Sequence, residues 1–166
     1  FLKAYPEDDN ASEARVRVAL AQMRLAVSDP QKGLDKVKEL IPTIAEEQKF
    51  SVAREEFAGI LPEIPEGFIA QAKASDAMKK AEELITLAQE GLDLILDPSN
   101  SPTSIRIRIQ VRINRIEEDI RLVQRAIEQD KDLAKAIADM QAAVDSDNTQ
   151  RAYQIYKDLL KVYPPL

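Results

Sequence analysis

Residues 105–113 read Ile105-Arg106-Ile107-Arg108-Ile109-Gln110-Val111-Arg112-Ile113, apolar at every second position. Taken alone, a strict period of two is the signature of a β-strand. A longer rhythm starts inside the same stretch. Ile109, Ile113, Ile116, Ile120, Val123 and Ile127 step by four and three residues, which is the seam of a heptad helix. A strand here would need a partner, and the chain has no second alternating run to supply one. The stretch is therefore expected to be helical, with Ile107 and Val111, which fall off the seam, buried against a second neighbour.

Upstream, Ala70, Ala74, Ala77, Ala81, Leu84, Ala88, Gly91 and Ile95 follow the same four–three spacing with mostly small side chains. Between the two seams lies Asp97-Pro98-Ser99-Asn100-Ser101-Pro102, a loop composition. Small residues on one helix let a bulky Ile ridge on another come close. The expectation is a long central antiparallel coiled-coil hairpin, about 66–96 against 103–129, with this loop at its tip. Gln129-Asp130-Lys131-Asp132 is a polar interruption through which the second arm either continues or restarts at Asp132.

Helix punctuation surrounds the hairpin. Asn10 precedes Glu13 by three residues, a capping-box spacing, and Val16, Leu20, Met23 and Val27 follow as an apolar face. Asp29-Pro30 combines an N-cap acid with a proline at the first helical position. Leu34, Val37, Leu40 and Ile41 line the helix it opens, which Pro42 is expected to end. Thr43 and Glu46 form another capping-box pair, heading a helix to about Leu61 with Phe50, Ala53, Phe57 and Ile60 inward. Pro62 stops it, and Pro65 can open the next. Beyond the hairpin, Leu133, Ile137, Met140 and Val144 form one face. Asp147 and Asn148 punctuate, and Ala152, Ile155, Tyr156, Leu159 and Leu160 form the last face.

Two segments repeat. Leu2-Lys3-Ala4-Tyr5-Pro6 matches Leu160-Lys161-Val162-Tyr163-Pro164. Ala152, Tyr156, Leu159 and Pro164 share their spacing with Ala53, Phe57, Ile60 and Pro65, that of the second half of a tetratricopeptide repeat. Leu20-Ala21 followed by Gly33, Val37 and Leu40 is a looser echo. The chain thus resembles a degenerate tetratricopeptide-like helical repeat protein carrying a long helical insertion. The first-helix half of the motif, Trp-x2-Leu-Gly-x2-Tyr, is absent ahead of both matches. The resemblance implies an all-α fold of helical hairpins, stacked as a solenoid or bundle, that serves as a protein-binding scaffold. It transfers no particular binding residue. The organisation expected is one all-helical segment of a larger protein: tetratricopeptide-like helices over 1–64, the hairpin over 65–130 and a C-terminal hairpin over 131–166.

Composition excludes several function classes. The chain has 166 residues, a formal net charge of −6 and no clustered basic surface in its overall balance, which argues against nucleic acid as a partner. Only 5% of residues are aromatic and four are glycine, which disfavours thick cores and β-turn-rich folds. No run of about 18 apolar residues is present, so no membrane span is expected. The chain opens on Phe1 without a signal segment and reads as a piece of something longer, tethered or not by parts outside it. Neither cytosol nor periplasm is favoured.

Catalytic templates fail for want of residues. There is no Cys and no His, which removes thiol nucleophiles, zinc fingers, the commonest general base and the commonest transition-metal ligand. Gly33, Gly59, Gly67 and Gly91 are too dispersed for a phosphate-cradling loop. Neither Glu55-Glu56 nor Glu117-Glu118-Asp119 has the helical spacing that aims carboxylates at one point. Tyr5, Tyr153, Tyr156 and Tyr163 are expected to pack. No catalytic residue, metal site or cofactor is expected, and the chain is read as not an enzyme.

One constellation remains. Arg106, Arg108, Arg112 and Arg115 place four cations within ten residues, and Arg108, Arg112 and Arg115 fall at i, i+4 and i+7 on one helical stripe. Such a stripe could dock an acidic peptide, a phosphate or an anionic lipid. The plainer expectation is that it pairs with Glu82, Glu83, Glu90 or Asp93 on the facing arm. The function expected is a non-catalytic interaction scaffold with a protein or peptide partner. The alternative is a coiled-coil spacer whose central helices pair between chains. Monomer and homodimer both stay open.

Overall fold

The computed structural model describes residues 10–47 and 49–163, and these form helices joined by short connections, with no strand among the described residues. In chain order they are α1 (Ala11–Ala26), α2 (Pro30–Ala45), α3 (Phe50–Ile60), α4 (Glu63–Lys73), α5 (Met78–Leu96), α6 (Thr103–Asp145) and α7 (Thr149–Val162). The class is all-α. Packing divides the chain into two compact units, Phe1–Val123 and Gln124–Leu166, with the boundary inside α6.

Local chemistry explains the starts of two helices. The Asp29 carboxylate accepts from the backbone N–H groups of Gln31 and Lys32 at 3.1 and 3.2 Å, and Pro30 occupies the first helical position of α2. Asn148 caps α7 by accepting from the Arg151 N–H at 3.1 Å. Just before it Asp147 has a φ of 59°, the left-handed region that Asp tolerates better than most side chains.

Pro42 does not end α2. It removes one N–H from the ladder, but Ile44 beyond it is buried, and that packing carries the helix to Ala45. In consequence Thr43 lies inside α2 and Glu46 at its C-cap, so this pair heads no helix and α3 starts only at Phe50.

The first unit is built around α1 to α5. Met23, Leu34, Phe57, Leu61, Ile64 and Phe68 form its fully buried centre. Phe50 and Phe57 meet edge-on at 5.5 Å between ring centroids. Arg15 on α1 pairs with Glu47 in the α2–α3 connection, and that carboxyl is held below its ordinary range by the Arg15 hydrogen bond.

The expected arm 66–96 is not one helix. α4 stops at Lys73 and α5 begins at Met78, so Ala74 and Ala77 of the small-residue seam sit in the turn between them. Ser75 explains the break: its hydroxyl accepts from the Ala77 N–H at 3.3 Å and lies 3.2 Å from the Ala77 carbonyl, bonds that compete with the helix ladder. Of the small positions that stay helical, Ala81, Ala88 and Gly91 are buried and Ala70 is exposed. Gly91 is where α5 packs directly onto the start of α4: a Cβ there would lie 3.0 Å from Pro65 Cδ and 3.2 Å from Ile64 Cγ2.

Residues 105–113 are helical, as the longer rhythm requires, and α6 runs unbroken through 129–132. Ile113, Ile116 and Ile120 are buried on its seam side. Ile107 and Val111 are not: they are 70% and 83% exposed, and the second neighbour expected to cover them does not exist among the described residues. The alternating stretch has one apolar face too many for the contacts α6 makes.

In the second unit, α7 buries no side chain fully. Its Tyr163 hydroxyl donates to Asp132 Oδ2 on α6 at 2.8 Å. Tyr153 and Tyr156, expected to pack, are 58% and 47% exposed. Tyr5 and Pro164 lie outside the described residues.

Candidate functional site

The arginine run begins at the first turns of α6, and its members have separate uses. Arg106 reaches back over the loop, and its Nη1 donates to the Leu96 carbonyl at 3.0 Å, satisfying an orphan acceptor at the C-terminus of α5. Arg108 pairs with Glu55 of α3. Arg112 makes a two-pronged bond with Glu66 of α4, Nε to Oε1 and Nη2 to Oε2, both at 2.6 Å. That hydrogen bond holds the Arg112 guanidinium above its ordinary value. Partial burial opposes it, and the nearby charge of Glu63 adds to it. Arg115 is exposed and makes no ion pair or hydrogen bond among the described residues.

The pairing expected with α5 is therefore corrected in its partners. Glu55 and Glu66 take the arginines, and Glu90 of α5 instead pairs with Lys38 of α2. The cause is the break at 74–77. It turns α4 into a separate helix lying beside α6. Glu66 pairs with Arg112, and Lys73 pairs with Asp119 at 2.7 Å; both bridges span 46 residues. A constant offset of this kind means the two helices run parallel in a fixed register. Nothing in the sequence singles out position 66 or 73, because that register exists only once the turn at 74–77 has formed.

Between those two bridges lies a groove of about 300 Å³, lined by Glu66, Ile69, Ala70, Lys73, Arg115, Ile116 and Asp119. Its floor is apolar. Its charged groups are cross-paired except for Arg115. Counting Arg112, three cations stand against two carboxylates around it. One helical turn before Arg115, Val111 and then Ile107 continue the exposed surface of α6. The structure thus brings Arg112 and Arg115 to one groove and places Arg108 on a different partner helix.

The acidic pairs separate in the same way. Glu55 goes to Arg108 and Glu56 to Arg24, while Glu118 pairs with Arg121 and Asp119 with Lys73. Among the described residues no cluster of acids is placed to hold a metal ion, and no helix is long and apolar enough to cross a membrane. A second groove, of about 230 Å³ between α1 and α3, includes Val16, Leu20, Val52 and Ala53. Its rim is largely neutralised, with Glu13 paired to Arg17 and Glu56 to Arg24. No protein family, no curated protein and no solved structure matches this chain.

Proposed function

We propose that this chain is a non-catalytic protein-interaction scaffold of tetratricopeptide-like type, and that the α4–α6 groove receives an acidic side chain of a protein partner against Arg115. The observation that carries the reading is the contrast within one stripe. Two guanidinium groups are used to join helices, and the third stands unpartnered at the edge of an apolar-floored groove. A partner carboxylate placed there would meet a planar donor fork already flanked by Arg112. Ile107 and Val111 offer apolar contact beside it, so an acid followed by bulky apolar residues is the partner chemistry that fits.

The reading is tested with a bead-displayed library of acidic peptides and the intact chain. The wild type retains a subset of acid-plus-apolar sequences, and Arg115→Glu weakens that retention at least tenfold, about 1.4 kcal/mol. Arg125→Glu, a cation on the same helix away from the groove, leaves retention unchanged. Equal retention by Arg115→Glu and the wild type would dispose of the groove as the docking site. Val111→Ser separates the two halves of the idea, because it lowers retention without altering any charge.

A further inference from the structure

From the second unit we infer a different interaction: its exposed apolar face is where a second copy of this chain docks, through a two-fold axis running along the helices. The face is formed by residues with helical spacing on two antiparallel helices. On α6, Leu133, Ile137, Met140 and Val144 recur at i, i+4, i+7 and i+11. On α7, Tyr153, Tyr156 and Leu160 recur at i, i+3 and i+7. Leu133, Ile137, Val144, Tyr153 and Tyr156 are 43%, 54%, 51%, 58% and 47% exposed. Projected at 100° per residue, the charged side chains lining the grooves of this unit, Asp132, Lys135, Asp139, Arg151 and Asp158, fall away from this face on both helices, which leaves its centre without charge.

Area and charge together select the occupant. At roughly 100 Å² for each of the five half-exposed side chains, with smaller shares from Met140 and Leu160, the face offers about 600 Å² per copy. That is about 1,200 Å² across a pair, the lower end of what a specific interface needs. Its two edges differ. Projected at 100° per residue, the outer edge of α6 carries Asp130, Gln141 and Asp145 and no cation. The outer edge of α7 carries Gln150, Gln154, Lys157 and Lys161 and no acid. Lys157 lies over the Tyr153 ring at 5.0 Å, and Lys161 also pairs with Asp158.

A face with one acidic and one basic edge is complementary to itself. A two-fold axis along the helices lays α6 of one copy over α7 of the other, so Asp130 meets the Lys157–Lys161 edge. An axis across the helices would instead set acid on acid and lysine on lysine. The first arrangement is the one we propose.

Light scattering on the intact chain across micromolar to millimolar concentration tests it. The mass rises from 18.6 kDa toward twice that value. Ile137→Glu, at a position already half exposed and so tolerated by the fold, keeps the mass at one chain. Leu25→Glu, at an exposed position on the first unit, leaves the doubling intact. Lys157→Glu with Lys161→Glu weakens association at least tenfold, and adding Asp130→Lys with Asp145→Lys restores it. A single-chain mass at every concentration overturns the proposal, as does a doubling that Ile137→Glu leaves unchanged. A doubling that survives charge reversal in both variants overturns the axis assigned to it.

Discussion

Gly91 and Gly59 are both helical glycines, and the same kind of change at each has opposite consequences. A Cβ at Gly91 would press on the ring of Pro65 and on Ile64, neither of which can swing aside. Gly91→Val is expected to cost about 1–3 kcal/mol in a urea titration, as an overpacked core does. Gly59 is exposed, with nothing near its missing Cβ. There, Gly59→Ala gains about 0.5–1 kcal/mol from helix propensity alone. The arginines divide in a similar way. Arg112→Lys loses the two-pronged geometry to Glu66, worth up to about 1 kcal/mol after allowing for its partial exposure, whereas Arg115→Lys leaves stability unchanged. Denaturation curves of the two lysine variants side by side check this. The sequence could show that three guanidinium groups share a stripe, because that follows from helical spacing. It could not show which one is left over, since Glu55 and Glu66 reach the stripe only through tertiary packing.

Two helix starts were legible from caps written in the local chain. Asp29-Pro30 and Asp147-Asn148 act through bonds within three residues, and both stand where local chemistry puts them. Two failures have separate causes, tertiary packing in one and a single local hydroxyl in the other. Pro42 carries a stop signal, yet buried Ile44 holds the turn beyond it; the Ala-rich seam carries a continuation signal, yet Ser75 diverts the backbone. Pro42 is exposed, so Pro42→Ala restores an N–H for the Lys38 carbonyl without disturbing the core. The gain, offset by the looser unfolded chain, is about 1 kcal/mol and is read as a rise in Tm. An unchanged or lower Tm would mean that the last turn of α2 contributes nothing to the fold. Ser75→Ala is the complementary probe: with the hydroxyl gone, helical signal across 73–78 rises.

At the scale of the whole chain, burial is uneven. Fully buried side chains crowd α1 to α5, while α7 has none. Amide exchange should therefore be fast throughout α7 and slow in α4 and α5, and rising protection of α7 with concentration would accompany the self-association argued above. Stability against pH follows from which groups titrate. The chain has no His and no Cys, the side chains whose ordinary values lie nearest neutrality, and stability is expected to be flat from about pH 5 to 8. The Lys32 backbone N–H lowers the Asp29 carboxyl, Arg15 lowers Glu47, the Ser99 hydroxyl lowers Asp97 and Lys161 lowers Asp158. A lowered folded value means the unfolded chain binds protons first. This stabilisation is whole above the ordinary carboxylate range, near pH 4, and disappears as acid titrates through the lower folded values. The alkaline limb has the opposite sign. The Tyr163 phenol is pushed above its ordinary value by its hydrogen bond to Asp132, so its contribution is whole below about pH 10 and is lost as pH rises through the folded value. Tyr163→Phe should abolish the part of the alkaline decline that α7 reports and leave the acid decline untouched. Glu47→Gln should soften the acid decline alone. If both variants altered both limbs, the titrating groups would be acting through the whole fold and not through their own hydrogen bonds.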